Sequence, residues 1–434
     1  MFDITEKPKQ VRKAFLVGVY NQAGQRDEAE SLLTELGSLV ATLEIPVADR
    51  LLIRVQTPSP RFFVGSGKAE EISQRAKELE ADVIVFDNGL SPAQQRNWEA
   101  LSGLVVIDRE EVILDIFFRR AQTKEARLQV DLARMEYSLP RLTRAWGHLS
   151  RQAGGLGAKG EGETQLETDR RLVRAQIDRL KSDLELVRIR RATQRKQRQR
   201  LPLPTAAIVG YTNVGKSALL KKLTGAQVLV EDKLFATLDT ATRRVLLPSG
   251  QGLLLTDTVG FVRNLPHRLV EAFKATLEEA VVSDFLIHVL DASHPRVFEF
   301  YQTTMRVLGE LGADSKRALT VLNKMDLVRD EATLHALRLH FPDGVFVSVH
   351  TGQGLKELLH QMTDLLADRV SKVELALPLD RTDLLSLLHR TSQVIDIGYK
   401  DRYARVVAMV SPKVFARVEP FLVWRDPEYQ LVTV

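Results

Sequence analysis

The stretch Gly210-Tyr211-Thr212-Asn213-Val214-Gly215-Lys216-Ser217 fits the pattern G-x-x-x-x-G-K-[ST] in full. Before it, TAAIV (205–209) reads as a short buried strand; after it, ALLKKL (218–223) reads as the opening turns of a helix. In a strand–loop–helix of this kind, glycines let backbone N–H groups turn toward an anionic phosphate, and the helix N-terminus adds its partial positive charge. Lys216 would reach the β- and γ-phosphates of a nucleotide, and the Ser217 hydroxyl would take a place on Mg²⁺. All eight residues are expected to line the nucleotide, within an α/β domain of mostly parallel sheet covered by helices on both faces.

Three further elements follow in the order that a guanine-nucleotide switch requires. LFATLDTATRR (234–244) is placed as the first switch, with Phe235, Ala236 and Thr237 counted among the nucleotide contacts. Thr237 is the expected Mg²⁺ ligand and catalytic threonine, with Thr240 and Thr242 left open. LLLTDTVGF (253–261) reads as a buried strand ending in Asp257-Thr258-Val259-Gly260. Asp257 would hold Mg²⁺ through water, and the Gly260 N–H would sense the γ-phosphate, acting with Lys216 and Thr237 in catalysis. Asn323-Lys324-Met325-Asp326 follows the strand-like ALTVL (318–322) and decides base identity. The Asp326 carboxylate can accept from N1–H and N2–H₂ of guanine together, whereas adenine would leave it unpaired at a large penalty. Asn323 would support the N7/O6 edge and the Lys324 stem would pack on the base. Last, Ser348, Val349 and His350 in VFVSVH (345–350) read as the loop whose backbone faces guanine O6, with valine where alanine is more usual.

Many GTPases carry glutamine directly after the D-x-x-G element to orient the attacking water. Phe261 stands there, and a phenyl ring makes no such hydrogen bonds. Hydrolysis is expected to be slow until a partner supplies or rearranges a catalytic group.

Upstream, residues 13–110 alternate short apolar runs with helical patterns: AFLVGVY (14–20), DEAESLLTELGSL (27–39), DVIVFD (82–87) and GLVVID (103–108). That pattern implies a second α/β domain with a mainly parallel sheet. Within it, Gly65-Ser66-Gly67-Lys68 before a helical run is either a tight turn or an anion site. From Glu111, Ile113, Ile116 and Phe117 lead into Leu128, Leu132, Met135 and Leu139; later Val173, Ile177, Leu180, Leu184 and Val187 repeat a heptad-like spacing. Two such stripes suggest an antiparallel helical hairpin. Its expected connection, Pro140 to Gln165, holds six glycines, Arg141, Arg144, Arg151 and Lys159, with Trp146 and His148 as stacking faces. Those residues suit unpaired RNA bases, and a plain linker is the other reading. Between Arg170 and Arg200, twelve cationic side chains against three carboxylates leave +9, more than the +5 of the whole chain. A solvated helix face intersperses signs, and RATQRKQRQR (191–200) does not, which favours phosphate contact by this basic segment, Arg170, Arg171 and Arg174 included.

Composition bounds the rest. At 434 residues the chain exceeds a single core, and 44% apolar with 27% charged residues is globular. No cysteine is present, which excludes disulfides and thiolate-held metals, and the nine histidines show no metal spacing. The first residues carry no signal-like apolar run and nothing approaches a membrane span, so the expectation is a cytoplasmic monomer, with peripheral membrane attachment left open.

The combination GSGKAEEI, ILDIFFRRAQTKEARLQVDLARMEYSLPRL, SRQAGGLGAKGEGETQLETDRR, GYTNVGKS, FATLDTATRR, DTVGF and NKMD resembles the HflX family of translation-factor-class GTPases over nearly the full chain. The resemblance implies GTP-dependent binding to the large ribosomal subunit and its rRNA, and splitting of stalled ribosomes with the hairpin loop near the peptidyl-transferase centre. It also implies nucleotide binding, ATP included, and RNA remodelling by the N-terminal domain. Four domains are expected: 1–110, α/β; 111–200, the basic hairpin, with Arg151, Lys159, Arg170, Arg171 and Arg174 on RNA; 201–367, the GTPase domain; and 368–434, a small α/β domain. The other readings are an ATP-driven RNA-remodelling enzyme using Gly65–Lys68 and a GTP-gated regulatory binding protein.

Overall fold

A computed structural model describes residues 11–144, 161–198, 203–225, 234–235, 238, 241–248, 251–264, 279–367, 371–400, 402–410 and 412–425. Trp146, His148, Arg151, Lys159, Ala236, Thr237 and Thr240 lie outside the described residues. The chain divides into two compact units, the first comprising residues 1–185, 232–238 and 263–273, the second the remainder.

In the first unit, β1 (Ala14–Tyr20), α1 (Arg26–Thr42), β2 (Val47–Arg54), α2 (Ser66–Glu78), β3 (Val83–Phe86), α3 (Pro92–Ser102) and β4 (Val105–Asp108) alternate as expected. The strands form a wholly parallel sheet in the order β2-β1-β3-β4. All four residues of β3, VIVF, are buried, as the near-continuous apolar run of a two-sided parallel strand requires. Local signals set the helix starts. Ser91 and Gln94 form a reciprocal capping box with Pro92 behind the cap of α3, and the Asp108 carboxylate caps α4 (Arg109–Arg120). On one face, Trp98 is fully buried, donates its indole N–H to Phe62 O at 2.8 Å and meets the Phe62 and Phe86 rings.

After α4 come α5 (Lys124–Ser138), a 3-10 turn over Leu139–Arg144, and α6 (Glu161–Arg198). Two details differ from the sequence reading. The α6 helix begins inside the expected connection, so EGETQ is helical despite its glycine. On α5 the buried stripe is Ala126, Val130, Ala133 and Tyr137, while Leu128, Leu132 and Met135 are half-buried. Tyr137 is accommodated by its hydroxyl, which donates to Asp108 Oδ1 at 3.0 Å. Ile177 and Leu180 of α6 are buried, and Lys181 pairs with Glu136 at 2.8 Å. Arg141 fixes the turn at the root of the basic connection, donating to Gln95 Oε1, Tyr137 O and Leu90 O at 2.9, 3.1 and 2.9 Å.

This unit also buries a four-membered charge network. Arg109 pairs with Asp87 at 2.6 Å and with Glu35; Glu35 in turn accepts from Arg263 at 3.2 Å, and Arg263 donates to Ser31 Oγ at 2.9 Å. Burial pushes the Asp87 carboxyl up, against the opposing Arg109 guanidinium.

The second unit holds β5 (Thr205–Gly210), α7 (Lys216–Thr224), β6 (Ala241–Leu246), β7 (Gly252–Asp257), β8 (Phe285–Asp291), α8 (Val297–Glu310), β9 (Ala318–Asn323), α9 (Glu331–His340), β10 (Val345–Phe346) and α10 (Leu355–Ala367). Their sheet runs β10-β9-β8-β5-β7-β6, parallel except for edge strand β6. Strand order reverses at β5, which puts the crevice for a ligand at the carboxyl ends of β5 and its neighbours. Residues from 371 onward add β11 (Ser371–Pro378), α11 (Thr382–Thr391), β12 (Gln393–Tyr399), β13 (Tyr403–Val410), α12 (Pro412–Val418) and β14 (Leu422–Arg425). These make an antiparallel sheet in the order β12-β13-β11-β14, a split β-α-β-β-α-β arrangement. Along β11 burial alternates strictly, so one face builds the core with Leu384, Leu388, Val414 and Val418. No helix among the described residues is long and apolar enough to cross a membrane.

Replacing Arg109 with methionine would leave Glu35 and Asp87 as buried carboxylates short of a partner. The expected loss is about 3–5 kcal/mol, measured as a fall in the urea midpoint; a loss under about 1 kcal/mol would contradict the network's role.

Candidate functional site

Five strand ends of the second unit carry the site. Gly210 closes β5, Asp257 closes β7, Asp291 closes β8, Asn323 closes β9, and Ser348 follows β10. The geometry therefore gathers residues separated by more than a hundred positions at one edge of the sheet.

The phosphate loop runs from Gly210 to the first turn of α7. Gly215 has φ +96°, and a Cβ there would run into the Asn323 carboxamide, so only glycine fits. Lys216 is buried and its Nζ donates to Gly210 O and Tyr211 O at 3.1 and 2.6 Å. Those bonds curl the loop around the ammonium. Burial pulls the Lys216 pKa down to about 8, with the Asp257 carboxylate acting in the opposite direction. Tyr211 stacks on Phe300 with ring centroids 4.0 Å apart and planes within 2°, which pins the outer side of the loop to α8. Val214 is buried, and Asn213 holds a left-handed φ of +62°.

Ser217 Oγ donates to Asp257 Oδ2 at 2.6 Å, a hydroxyl–carboxylate pair of hard oxygens suited to Mg²⁺. Among the described residues no cluster of three or more His, Asp or Glu side chains forms a metal site. Mg²⁺ needs none, since it takes one or two protein oxygens and completes its shell with phosphates and water. Thr258 donates to Ile208 O at 2.6 Å, and Val259 is buried. A Cβ on Gly260 would stand 2.7 Å from Thr212 Cα and 2.8 Å from Lys216 Nζ, so the D-x-x-G turn lies directly against the phosphate loop. Phe261 is 1% exposed; its N–H donates to Gly210 O at 3.1 Å and its carbonyl accepts from the Thr212 N–H at 2.8 Å.

At the base end, the Asn323 amide donates to Val214 O at 2.8 Å and its Oδ1 accepts from the Val349 N–H at 3.1 Å. One side chain thus braces the phosphate loop against the base loop, a role the sequence reading did not assign to it. Asp326 is exposed and accepts from Ser348 Oγ at 2.5 Å; that bond, with His350 and Lys324 nearby, holds its carboxyl below the usual range. Lys324 adopts φ +63° and pairs with Asp291 at 2.8 Å.

Other expected residues sit elsewhere. Thr242 lies in β6 with its hydroxyl 2.9 Å from that of Thr256, engaged across the strands. Phe235, in the first unit, is buried edge-on against Phe117 at 4.6 Å. Gly65 precedes α2, and Lys68 pairs with Glu71 at 2.7 Å. On α6, Arg171 and Arg174 are exposed and Arg170 half-buried. His288 is fully buried and stacks on Tyr301 at 5.2 Å; burial pulls its pKa to about 3, which makes it a neutral core residue.

Three family models match in succession: "GTP-binding GTPase N-terminal" over 30–118, "GTP-binding GTPase Middle Region" over 120–198 and "50S ribosome-binding GTPase" over 205–324. GTPase HflX of Akkermansia muciniphila is 50% identical, covering 97% of this chain and 99% of that protein. GTPase HflX of Chlamydia pneumoniae is 43% identical, with 98% and 92% covered. Among solved structures, a GTP-binding protein from Sulfolobus solfataricus in complex with GDP aligns at TM-score 0.44 and 25% identity, covering 82% of this chain and 98% of that one.

Two outcomes are expected. An Asp326→Asn variant, which presents a donor where guanine also donates, should lose GTP affinity by at least about 100-fold and gain affinity for xanthosine triphosphate, whose 2-oxo group accepts. Lys216 in the free protein keeps its proton below about pH 8, and a bound phosphate favours the ammonium still further. Nucleotide affinity should then be full below pH 8 and fall as pH rises through it, by up to about tenfold per unit. Titration with a fluorescent GDP between about pH 7 and pH 9 checks this, and a flat profile would contradict it.

Proposed function

The chain belongs to the HflX family of GTPases, and on that premise we propose that it is a ribosome-directed GTPase whose GTP-bound form seats its basic hairpin on the RNA of the large ribosomal subunit and splits stalled ribosomes. The observation that carries this reading is the joining of a nucleotide switch to a strongly basic run, Arg170–Arg200, in one chain. The α6 helix has 38 residues, about 57 Å at 1.5 Å per residue, and its C-terminal part holds most of a charge run that leaves +9 over Arg170–Arg200. A phosphate backbone is the natural counterpart of such a run. The description of the matched family over 205–324, a 50S ribosome-binding GTPase, supports the choice of partner.

In this reading Gly210–Ser217 hold the β- and γ-phosphates, with Lys216 placed to neutralise charge that develops during cleavage. Ser217 and Asp257 would hold Mg²⁺, Asp257 through water and with Thr237 as a further ligand; the ion supplies charge neutralisation on the phosphate oxygens. Gly260 N–H reports the γ-phosphate, and Asn323, Asp326 and the Ser348–His350 loop read guanine. Phe261 offers the attacking water no hydrogen bond, so the ribosome is the natural source of a faster rate. Arg151 and Lys159 join Arg170, Arg171 and Arg174 as the RNA contacts, and the protein acts as a monomer. ATP-driven work through Gly65–Lys68 is not favoured, because Lys68 pairs with Glu71.

Changing Arg170, Arg171 and Arg174 together to glutamate should abolish GTP-dependent co-sedimentation with large subunits at moderate salt and flatten its salt dependence, while GTP binding stays intact. Undiminished co-sedimentation of the triple variant would reject the assignment.

A further inference from the structure

One side chain in the phosphate loop carries chemistry that the loop motif does not call for. Motifs of this type bind phosphate mainly through backbone N–H groups, the lysine and the final hydroxyl, yet Thr212 is 5% exposed and its Oγ1 is buried without a hydrogen-bond partner among the described residues. A buried hydroxyl in that state calls for an explanation, and a ligand that supplies the missing bond is one. Its surroundings locate it. A Cβ built on Gly260 would meet Thr212 Cα and Cγ2 at 2.7 Å and Lys216 Nζ at 2.8 Å, so Thr212 packs its Cα and methyl against Gly260, beside the Lys216 ammonium. The Thr212 N–H is already committed to Phe261 O at 2.8 Å, and the Phe261 N–H to Gly210 O at 3.1 Å. Backbone bonds therefore hold Thr212 in place and leave its hydroxyl as the polar group with unused capacity. Phe261 has none to offer, since its ring is apolar and 1% exposed.

We propose that the Thr212 hydroxyl is a catalytic group for GTP hydrolysis, accepting a hydrogen bond from the attacking water and donating its own to a γ-phosphate oxygen. A hydroxyl has one donor and two lone pairs, the same paired capacity that a glutamine amide provides where one follows the D-x-x-G turn. In the step, the water oxygen bonds to the γ-phosphorus. The bond from that phosphorus to the β–γ bridging oxygen breaks, and its electron pair leaves with GDP. The water proton passes to a γ-phosphate oxygen, giving inorganic phosphate, and Thr212 retains its own proton. The inference rests on the γ-phosphate placement proposed above, between Lys216 and Gly260.

The test compares Thr212→Val, which keeps the shape and removes the hydroxyl, with Thr212→Ser, which keeps the hydroxyl and removes the methyl. Single-turnover GTP cleavage by the full chain without ribosomes, measured with enzyme saturating so that affinity does not enter the rate, should slow by about tenfold or more in T212V, while T212S stays within about threefold of the natural rate. A packing role predicts the opposite order, T212V near the natural rate and T212S impaired, and that result would overturn the proposal. If T212V does not fold, T212A against T212S gives the same comparison, both checked by GDP binding. Lys216→Ala separates the two levels of the argument. Unchanged GTP affinity in K216A would overturn the phosphate placement and the Thr212 role together, whereas loss of affinity in K216A with natural cleavage in T212V would overturn the Thr212 role alone.

Discussion

The nucleotide site depends on the carboxamide of Asn323. Its nitrogen holds the phosphate loop through Val214 O, its oxygen holds the base loop through the Val349 N–H, and its backbone carbonyl accepts from the Ala292 N–H at 2.8 Å beyond β8. The residue is 3% exposed, and the buried Val214 carbonyl would lose its bond without the carboxamide. The same amide sets a steric limit on Gly215, where any Cβ would collide with it. The loop expected to hold phosphate and the loop expected to face the base are thereby tied to one another, which is the arrangement that electrostatic preorganisation requires.

On the phosphate side, a buried lysine is the expensive feature. Lys216 is tolerated because two loop carbonyls accept from it and Asp257 lies near enough to favour its charge. Phe261 completes the enclosure by backbone pairing with the loop, and its ring contributes no polar chemistry. A site built this way has no glutamine amide after the D-x-x-G turn to orient the attacking water. That combination suits a timer more than a metabolic catalyst, and in our proposal the work on the substrate falls to the basic hairpin.

Motif spacing carried the expectation of a nucleotide site, because phosphate, Mg²⁺ and guanine each impose a residue type at a short, fixed offset, and the structure brings Gly210, Asp257, Asn323 and Ser348 to strand ends of one sheet. The parallel sheets were legible for a similar reason, as buried runs such as VIVF alternate with helical periods. Tertiary choices were harder to read. Arg109, Glu35, Asp87 and Arg263 carry no local sequence signal of pairing, yet they satisfy one another in the interior of the first unit. On α5 a leucine stripe outranks an alanine stripe by hydrophobicity, but the face that turns inward carries Ala126, Val130, Ala133 and Tyr137. Asn323 carried a base-recognition expectation from its four-residue motif; its brace to Val214 spans 109 positions and has no local signature. The hydroxyl of Thr212 was likewise hidden inside a motif that treats its position as free.

Cleavage of bound GTP in a single turnover, by the protein alone and with purified large ribosomal subunits, tests most directly whether the nucleotide site is a timer completed by its partner. The account predicts slow cleavage alone and an acceleration of about tenfold or more with subunits present, in line with what a partner-supplied group contributes elsewhere. Equal rates in the two conditions would contradict it.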